Sequence, residues 1–443
     1  AYYLRKKGHG VTVFDANPAA GGMLRYGIPS YRLPRDILDR EITDNLALGI
    51  NLKTGRTLGK DFTLEQLTHK GFAAIFLAVG AQDSQPNPLD GCHVPDVIRG
   101  TEFLRRAAQG EDFKLGDNVV VIGGGNVAVD AAMTARRCGG ADVKIVCLEG
   151  LDEMPAHSWQ LKEARAEGIE ILSSRGPGRV IIADGSIAAM DLMECICVFD
   201  EHGQFCPQFG EIRECIPTDQ VIIAVGQATD LTFLENSSTI RTDHGLIVIN
   251  SDSLETDAQG IYAGGDVTSA PASIIDAIAA GRRAASSIDQ ALGGTGVIDE
   301  VLFARGTPDP FIGRDEGFAA WPREKMPRLK PVTRIQGFEE IAKGYTNEQA
   351  IREARRCLQC DLRLHLGCNP IPPESWLPFD EAHIYKIPES EGVYQLLDAD
   401  RQVLSIKGSV NLRQDLLSVL KDYPNASLFA YEEDKMYSQR ESE

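Results

Sequence analysis

The chain of 443 residues lacks any apolar run long enough to cross a bilayer, which takes about 18 residues, so no membrane association is expected. It also lacks a basic surplus. Lys and Arg number 45 against 64 Asp and Glu, a net charge of −19. Nucleic acid and anionic lipid both demand clustered cations, so neither is an expected partner. No secretory leader is recognisable, and the 10 cysteines form no small secreted disulfide framework. A reducing, cytoplasmic setting is the expectation. The chain does not open as a domain usually does. Residues 1–7 read as the end of a helix, Gly8 and Gly10 close it, and residues 11–14 read as a strand that ends at Asp15. That is the second half of a strand–helix–strand unit, and its first strand and glycine-rich turn are expected upstream of Ala1. The length calls for two to four domains, and the 43% apolar fraction gives each enough for a core.

Residues 117–149 are the most informative stretch. Residues 119–122 are a short β-branched run, as in a strand buried on both faces. Gly123, Gly124 and Gly125 follow at once, then Asn126, Val127 and a helical spacing of Ala128, Val129, Ala132, Met133 and Ala135. A second strand closes the unit and ends at Glu149. The spacing Gly123-x-Gly125-x-x-Ala128 between strand and helix is a dinucleotide fingerprint. Gly123 permits the tight turn, Gly125 lets amides approach a pyrophosphate, and Ala128 keeps helix and strand close. Glu149 stands roughly 20 residues on, where a carboxylate reads a ribose diol.

Two further segments carry a resemblance. The loop GGMLRYGIPSYRLP at residues 21–34 and the segment GIYAGGDVTSAPASIIDAIAAG at 260–281 resemble the small subunit of glutamate synthase and its relatives, which include the flavin half of dihydropyrimidine dehydrogenase. The resemblance implies an α/β protein with two Rossmann-like, three-layer nucleotide-binding domains, the NAD domain inserted in an FAD domain. It implies that Asp15 holds the adenosine ribose of FAD, that Gly22 and Met23 pass the flavin, and that Arg32 reaches the FAD phosphate or adenosine side. A solvated loop arginine is the other reading of Arg32. Gly265 and Asp266 would meet the FAD ribitol, with capping of the following helix as the alternative for Asp266. Residues 219–226 are expected to return to the first domain as a strand, with Ala224, Val225 and Gly226 near the nicotinamide nucleotide. Thioredoxin reductases, of similar architecture, carry a redox Cys-x-x-Cys in the inserted domain, and this chain has none there. Cys195 and Cys197 read as core, and Cys206 and Cys215 as flanking a hairpin, with a four-cysteine metal site as the minor alternative.

In the tail, residues 297–331 read as an irregular connector, and a helix is expected from Thr346, with Asn347 as its cap. Cys357, Cys360 and Cys368 resemble part of the iron–sulfur signature of the same family. Only three cysteines stand there, with Leu364 and His365 near the place of a further thiolate. Two readings remain, a 4Fe–4S cluster and plain thiols. Residues 391–443 resemble a GIY-YIG nuclease domain, through Gly392-Val393-Tyr394, a hairpin at 398–401 and Asn411-Leu412-Arg413. The second signature is broken as Ser405-Ile406-Lys407. Arg413 fits the family's catalytic arginine, and Glu441 or Glu443 its metal carboxylate. A protein-interaction module, a structural appendage and an active nuclease are the three readings of this α+β module.

The expected division is therefore an FAD domain in two parts, 1–116 and 219–296, an NAD(P) domain at 117–218, a connector with the cysteine motif at 297–375, and the small module at 376–443. The expected function is that of an FAD-dependent oxidoreductase subunit. It passes electrons from NADH, preferred over NADPH, through flavin to an iron–sulfur protein or a larger catalytic subunit. A self-contained flavin reductase and a nucleic-acid-processing protein are the alternatives.

Overall fold

In the computed structural model the described residues are 1–85, 89, 94–113, 115–235, 239–269, 273–298, 321–356, 376–399, 401 and 403–433. They divide into two units. One takes the described residues up to 298 together with Arg328–Ala342, and the other takes 321–327 and the described residues from 343 onward.

The first unit has two lobes. The first lobe begins with α1 (Tyr2–Lys6), β1 (Thr12–Phe14), α2 (Gly22–Tyr26), α3 (Arg35–Ala47), β2 (Asn51–Lys53), α4 (Leu64–His69) and β3 (Ile75–Leu77). β1 and β2 are parallel. Thr63 starts α4 with a reciprocal capping box to Gln66. The region expected as loop before Pro34 contains the short helix α2. β4 (Asp83–Ser84) then leads out of the lobe.

The second lobe is built on β5 (Val97–Arg99), α5 (Gly100–Ala108), β6 (Asn118–Ile122), α6 (Asn126–Arg137), β7 (Asp142–Val146), α7 (Ser158–Ala166), β8 (Glu170–Leu172), β9 (Arg175–Ala183), β10 (Ser186–Phe199), β11 (Phe205–Pro217) and β12 (Gln220–Ile223). Five parallel strands lie in the order β5-β12-β6-β7-β8. Strand alternation sorts their side chains into two cores. Val119, Val121 and Ile222 join Ala128, Val129, Met133 and Phe103 on the helical side. Val120, Ile122, Val221 and Ile223 join Met190 and Leu192 on the other. That second face is covered by the antiparallel sheet β11-β10-β9, so the three layers are helix, parallel sheet and antiparallel sheet.

The chain returns through β13 (Gln227–Ala228), which pairs antiparallel with β4, so the two crossings between lobes run side by side. A hairpin of β14 (Thr242–Asp243) and β15 (Leu246–Ile247) follows, then β16 (Ile261–Ala263), parallel to β3, and α8 (Ile274–Ala291). Among the described residues β1–β2 and β3–β16 are separate parallel pairs.

Three expected boundaries change. Residues 220–223 do not belong to the first lobe: β12 lies between β5 and β6, and its apolar run is buried on both faces, as a central parallel strand requires. β5 and α5, expected in the first lobe, pair and pack in the second. Arg328–Ala342, expected as connector, belongs to the first unit and carries α9 (Pro331–Arg334).

The second unit contains α10 (Asn347–Arg355), β17 (Leu377–Pro378), α11 (Glu381–Ile384), β18 (Gly392–Leu397), β19 (Val403–Ser409), α12 (Leu412–Val419) and β20 (Leu428–Glu433). Thr346, not Asn347, caps α10, through a box with Gln349. The four-stranded antiparallel sheet runs β17-β20-β18-β19. Its core gathers Ile384, Tyr394, Leu396, Leu412, Leu416 and Phe429.

Candidate functional site

β6 delivers the chain into the glycine turn. Gly123 has φ +137°, and a Cβ there would collide with the Ala224 carbonyl. Its N–H donates to the Val146 carbonyl at 2.8 Å, and the Ala224 N–H donates to Ile122 at 2.8 Å. The ends of β6, β7 and β12 are thus drawn together. Gly125 is the N-cap of α6 and faces open space. Beyond it lie Asn126 and Val127, in the first turn, where backbone N–H groups have no intrahelical acceptor and the helix dipole favours an anion. The Asn126 side-chain oxygen accepts from His157 N (3.0 Å), and Ala156 N donates to the Gly124 carbonyl (3.1 Å). The loop before α7 therefore braces the turn.

Glu149 lies three residues past β7, yet its carboxylate reaches the turn: a Cβ on Gly124 would stand 2.6 Å from its Oε2. Ser174 N donates to the Glu149 carbonyl and Arg175 N to that of Cys147, both at 2.9 Å. Burial, then the nearby Glu149, pushes the Cys147 thiol up to about 12, so it is an unreactive neighbour. Val225 is exposed and Gly226 has φ +127°. Gly123, Gly124, Glu149 and Ala224 are thus brought together at strand C-terminal ends, where open α/β sheets take ligands, with Gly125 to Val127 and Val225-Gly226 adjoining them in sequence.

The first-lobe residues occupy corresponding strand ends. Asp15 follows β1, and its Oδ1 accepts from Asn17 N (2.8 Å) and Nδ2 (3.2 Å). Gly265, at φ +78°, and Asp266 follow β16. The cap of α8 is Ser273, boxed with Asp276, which removes helix capping as the role of Asp266. Gly22 opens α2 at φ +50° and faces open space, while Met23 folds against Gly27. A cavity of about 450 Å³ opens beside β1 and β2, lined among others by Phe14, Phe72, Lys53 and Arg56.

Arg32 departs from its expected role. Its guanidinium donates to Asp130 of α6 at 2.5 Å and to Glu163 of α7 at 3.1 Å, and lies 5.0 Å over the Trp159 ring. It is engaged with carboxylates of the second lobe and is not a solvated loop arginine. Burial pushes the Asp130 carboxyl up to about 6 against the pull of Arg32. Arg136 bonds the Gly140 carbonyl and Arg137 bonds Glu167, both away from the glycine turn.

Cys195 is buried and Cys197 partly so, across an irregular stretch of β10. Cys206 and Cys215 are exposed within one strand, β11, rather than flanking a hairpin. Cys357, Cys360 and Cys368, with Leu364, His365, Glu441 and Glu443, lie outside the described residues. No described helix is long and apolar enough to cross a membrane.

The two lobes match known proteins. Residues 1–281 match the family model described as pyridine nucleotide-disulphide oxidoreductase. The chain belongs to this family. It is 36% identical over 376 residues to the NADP(+)-dependent formate dehydrogenase subunit beta of Moorella thermoacetica, covering 81% of this chain and 52% of that one. It is 30% identical over 407 residues to the NADPH-Fe(3+) oxidoreductase subunit beta of Geobacter sulfurreducens, covering 81% and 59%. It is 29% identical over 288 residues to the NAD-dependent dihydropyrimidine dehydrogenase subunit PreT homolog of Salmonella typhi, covering 64% and 63%. The chain thus spans less than two thirds of the length of these curated relatives. Mycobacterium tuberculosis FprA in complex with NADPH shares the fold, with a TM-score of 0.56 at 15% identity over 66% of this chain and 82% of that one. Residues 372–442 match a model described only as a domain of unknown function.

Proposed function

We propose that this member of the family is the flavin-bearing subunit of a multi-component oxidoreductase. It takes reducing equivalents from NADH and hands them to an iron–sulfur acceptor protein or a larger catalytic subunit. The observation that carries this is the open glycine turn at the start of α6 with the Glu149 carboxylate across it. The residues fit a nicotinamide nucleotide: α6 offers unpaired N–H groups for a pyrophosphate, and Glu149 offers an acceptor for a ribose diol. They also fit FAD: Asp15 would hold its ribose, Gly22 would leave backbone room, and Gly265-Asp266 would meet the ribitol. When bound, the nicotinamide supplies a hydride and the flavin accepts it and relays electrons. The chain's own residues bind and orient; none serves as a nucleophile.

NADH is the preferred donor in this reading, because Glu149 accepts from a diol and repels a 2′-phosphate. Cys357, Cys360 and Cys368 would hold a 4Fe–4S cluster that continues the electron path. The likeness to the glutamate synthase small subunit supports the division of labour with a partner, as do relatives named as beta subunits. The terminal module is read as a GIY-YIG-like fold turned to protein contacts. Its Arg413 donates to the Ile387 carbonyl and pairs with Glu389 (2.6 Å), so it is committed to local structure rather than to a phosphodiester. The setting is cytoplasmic. An absorbance spectrum of the purified full-length protein tests the reading: flavin bands with a broad iron–sulfur shoulder support it, and a spectrum with neither overturns it.

A further inference from the structure

α6 points its first turn at the nucleotide site, and its other half is gripped from three directions. Arg32, from the first lobe, bridges Asp130 of α6 and Glu163 of α7. Beside it the buried Tyr31 sits with its hydroxyl 3.3 Å from the Asp130 carbonyl and its ring 4.1 Å from the Arg137 guanidinium. Arg137 in turn pairs with Glu167 of α7 at 2.6 Å, both side chains fully buried. The third grip is Arg328–Ala342. Ile341 N donates to the Tyr31 carbonyl (3.1 Å), Arg328 pairs with Glu163, and Arg334 lies 2.8 Å from Glu167.

Four guanidinium groups therefore meet three carboxylates where the first lobe, two helices of the second and a distant segment converge. Buried ion pairs are costly to assemble and costlier to leave half-made. Such a junction holds one geometry and resists others. It is also continuous with the nucleotide turn. α7 follows directly on Ala156 and His157, which bond Gly124 and Asn126. Trp159, in the first turn of α7, lies under the Arg32 guanidinium.

We propose that Arg32 is a positioning residue: clamped between Asp130 and Glu163, it fixes the angle between the two lobes, and Arg328–Ala342 is the strap that holds the clamp shut. The consequence for turnover rests on the function proposed above. Hydride transfer needs donor and acceptor within about 3–3.5 Å and aligned, and an error of about 1 Å costs on the order of a hundredfold. Arg32 touches neither expected cofactor site, so its loss acts through lobe orientation and spares nucleotide affinity.

The test uses the full-length, flavin-loaded protein and the variants Arg32→Gln, Arg32→Lys and the near-isosteric Asp130→Asn. Anaerobic single-turnover mixing with NADH reads the limiting rate of flavin bleaching and, from its saturation, the NADH Kd. Amide hydrogen exchange reads the Ile341 N–H. Arg32→Gln is expected to lower the limiting rate at least tenfold with Kd changed less than twofold. Arg32→Lys, which keeps the charge, recovers part of the rate. Ile341 exchange accelerates at least tenfold in Arg32→Gln while the β6 amides are unchanged. Should Arg32→Gln not fold, Asp130→Asn takes its place in every reading. An unchanged limiting rate, a Kd that moves in step with it, or unchanged Ile341 exchange overturns the proposal. If the wild-type protein shows no bleaching with NADH, the proposed function falls, and Ile341 exchange alone decides the clamp.

Discussion

Glu149 and Gly124 occupy one place at the nucleotide turn: any side chain on Gly124 would press into the Glu149 carboxylate, 2.6 Å from the position of its Cβ. A larger residue at 124 would have to displace the Glu149 side chain, which comes from the loop after β7. In the proposed function this carboxylate reads the ribose of a bound dinucleotide.

Nucleotide choice follows from that placement. A carboxylate facing a phosphate at ~4 Å and an effective dielectric of ~20 costs roughly 4 kcal/mol before screening. A tenfold preference in kcat/KM needs only ~1.4 kcal/mol. NADH is expected to exceed NADPH by at least about tenfold, and Glu149→Arg with Leu148→Arg to shift the ratio towards NADPH. Steady-state kinetics with both donors checks this; equal use by the wild-type protein contradicts the role of Glu149.

The buried triad of Arg137, Glu167 and Arg334 sets a stability expectation. Removing the shared carboxylate strands two guanidinium groups away from water, which costs about 3–5 kcal/mol. Glu167→Ala is expected to lower stability by that amount in urea unfolding. Glu111→Ala, which removes the exposed partner of Arg106, leaves the midpoint in place.

Asp130 gives a pH signature. Its carboxyl is raised from 3.8 to about 6 by burial, so between these values the folded protein holds a proton that the unfolded chain has released. Its contribution to stability is full below pH 3.8 and is lost as pH rises through about 6, with a slope of up to about 1.4 kcal/mol per pH unit. The difference in unfolding free energy between wild type and Asp130→Asn should fall across this window. A difference that stays level or rises contradicts the burial argument.

The parts of the chain that could be read in sequence are those whose signals are local. β6, the glycine turn and α6 announce themselves because a strand buried on both faces, a turn with φ +137° at Gly123 and an alanine-rich helix each demand particular residues within a few positions. The ion pairs of Arg32 are not legible in the sequence because its partners Asp130 and Glu163 are 98 and 131 residues away, and no spacing rule links them. The place of β12 between β5 and β6 is not legible, because an apolar run says that a strand is central without saying in which sheet. The strap at Arg328–Ala342 looks like connector in the sequence because its hold is long-range contacts to Tyr31, Glu163 and Glu167, which leave no local period. The distance of Glu149 from the turn marks it as a candidate in the sequence, but its approach to Gly124 is visible only in three dimensions.

The cysteine motif has its own measurement. If Cys357, Cys360 and Cys368 hold a cluster, Cys360→Ser should remove most of the iron and acid-labile sulfide of anaerobically purified protein. Unchanged iron content assigns them as plain thiols.

In the terminal module, Arg413 is expected to matter for folding rather than cleavage. Arg413→Ala removes the donors to Ile387 and the Glu389 pair, and should lower the module's thermal midpoint. No magnesium-dependent cleavage of DNA is expected from the wild-type protein; cleavage that Arg413→Ala abolishes contradicts the assignment.

The most direct measurement is an anaerobic titration of the purified full-length protein with NADH, followed through the visible absorbance of its flavin. The expected result is that about one equivalent of NADH per flavin bleaches the flavin bands, and that Glu149→Arg weakens this response to NADH without removing the flavin. A protein that binds no flavin, or whose flavin bands are unchanged by excess NADH and NADPH alike, contradicts the reading of this chain as the nucleotide-oxidising subunit.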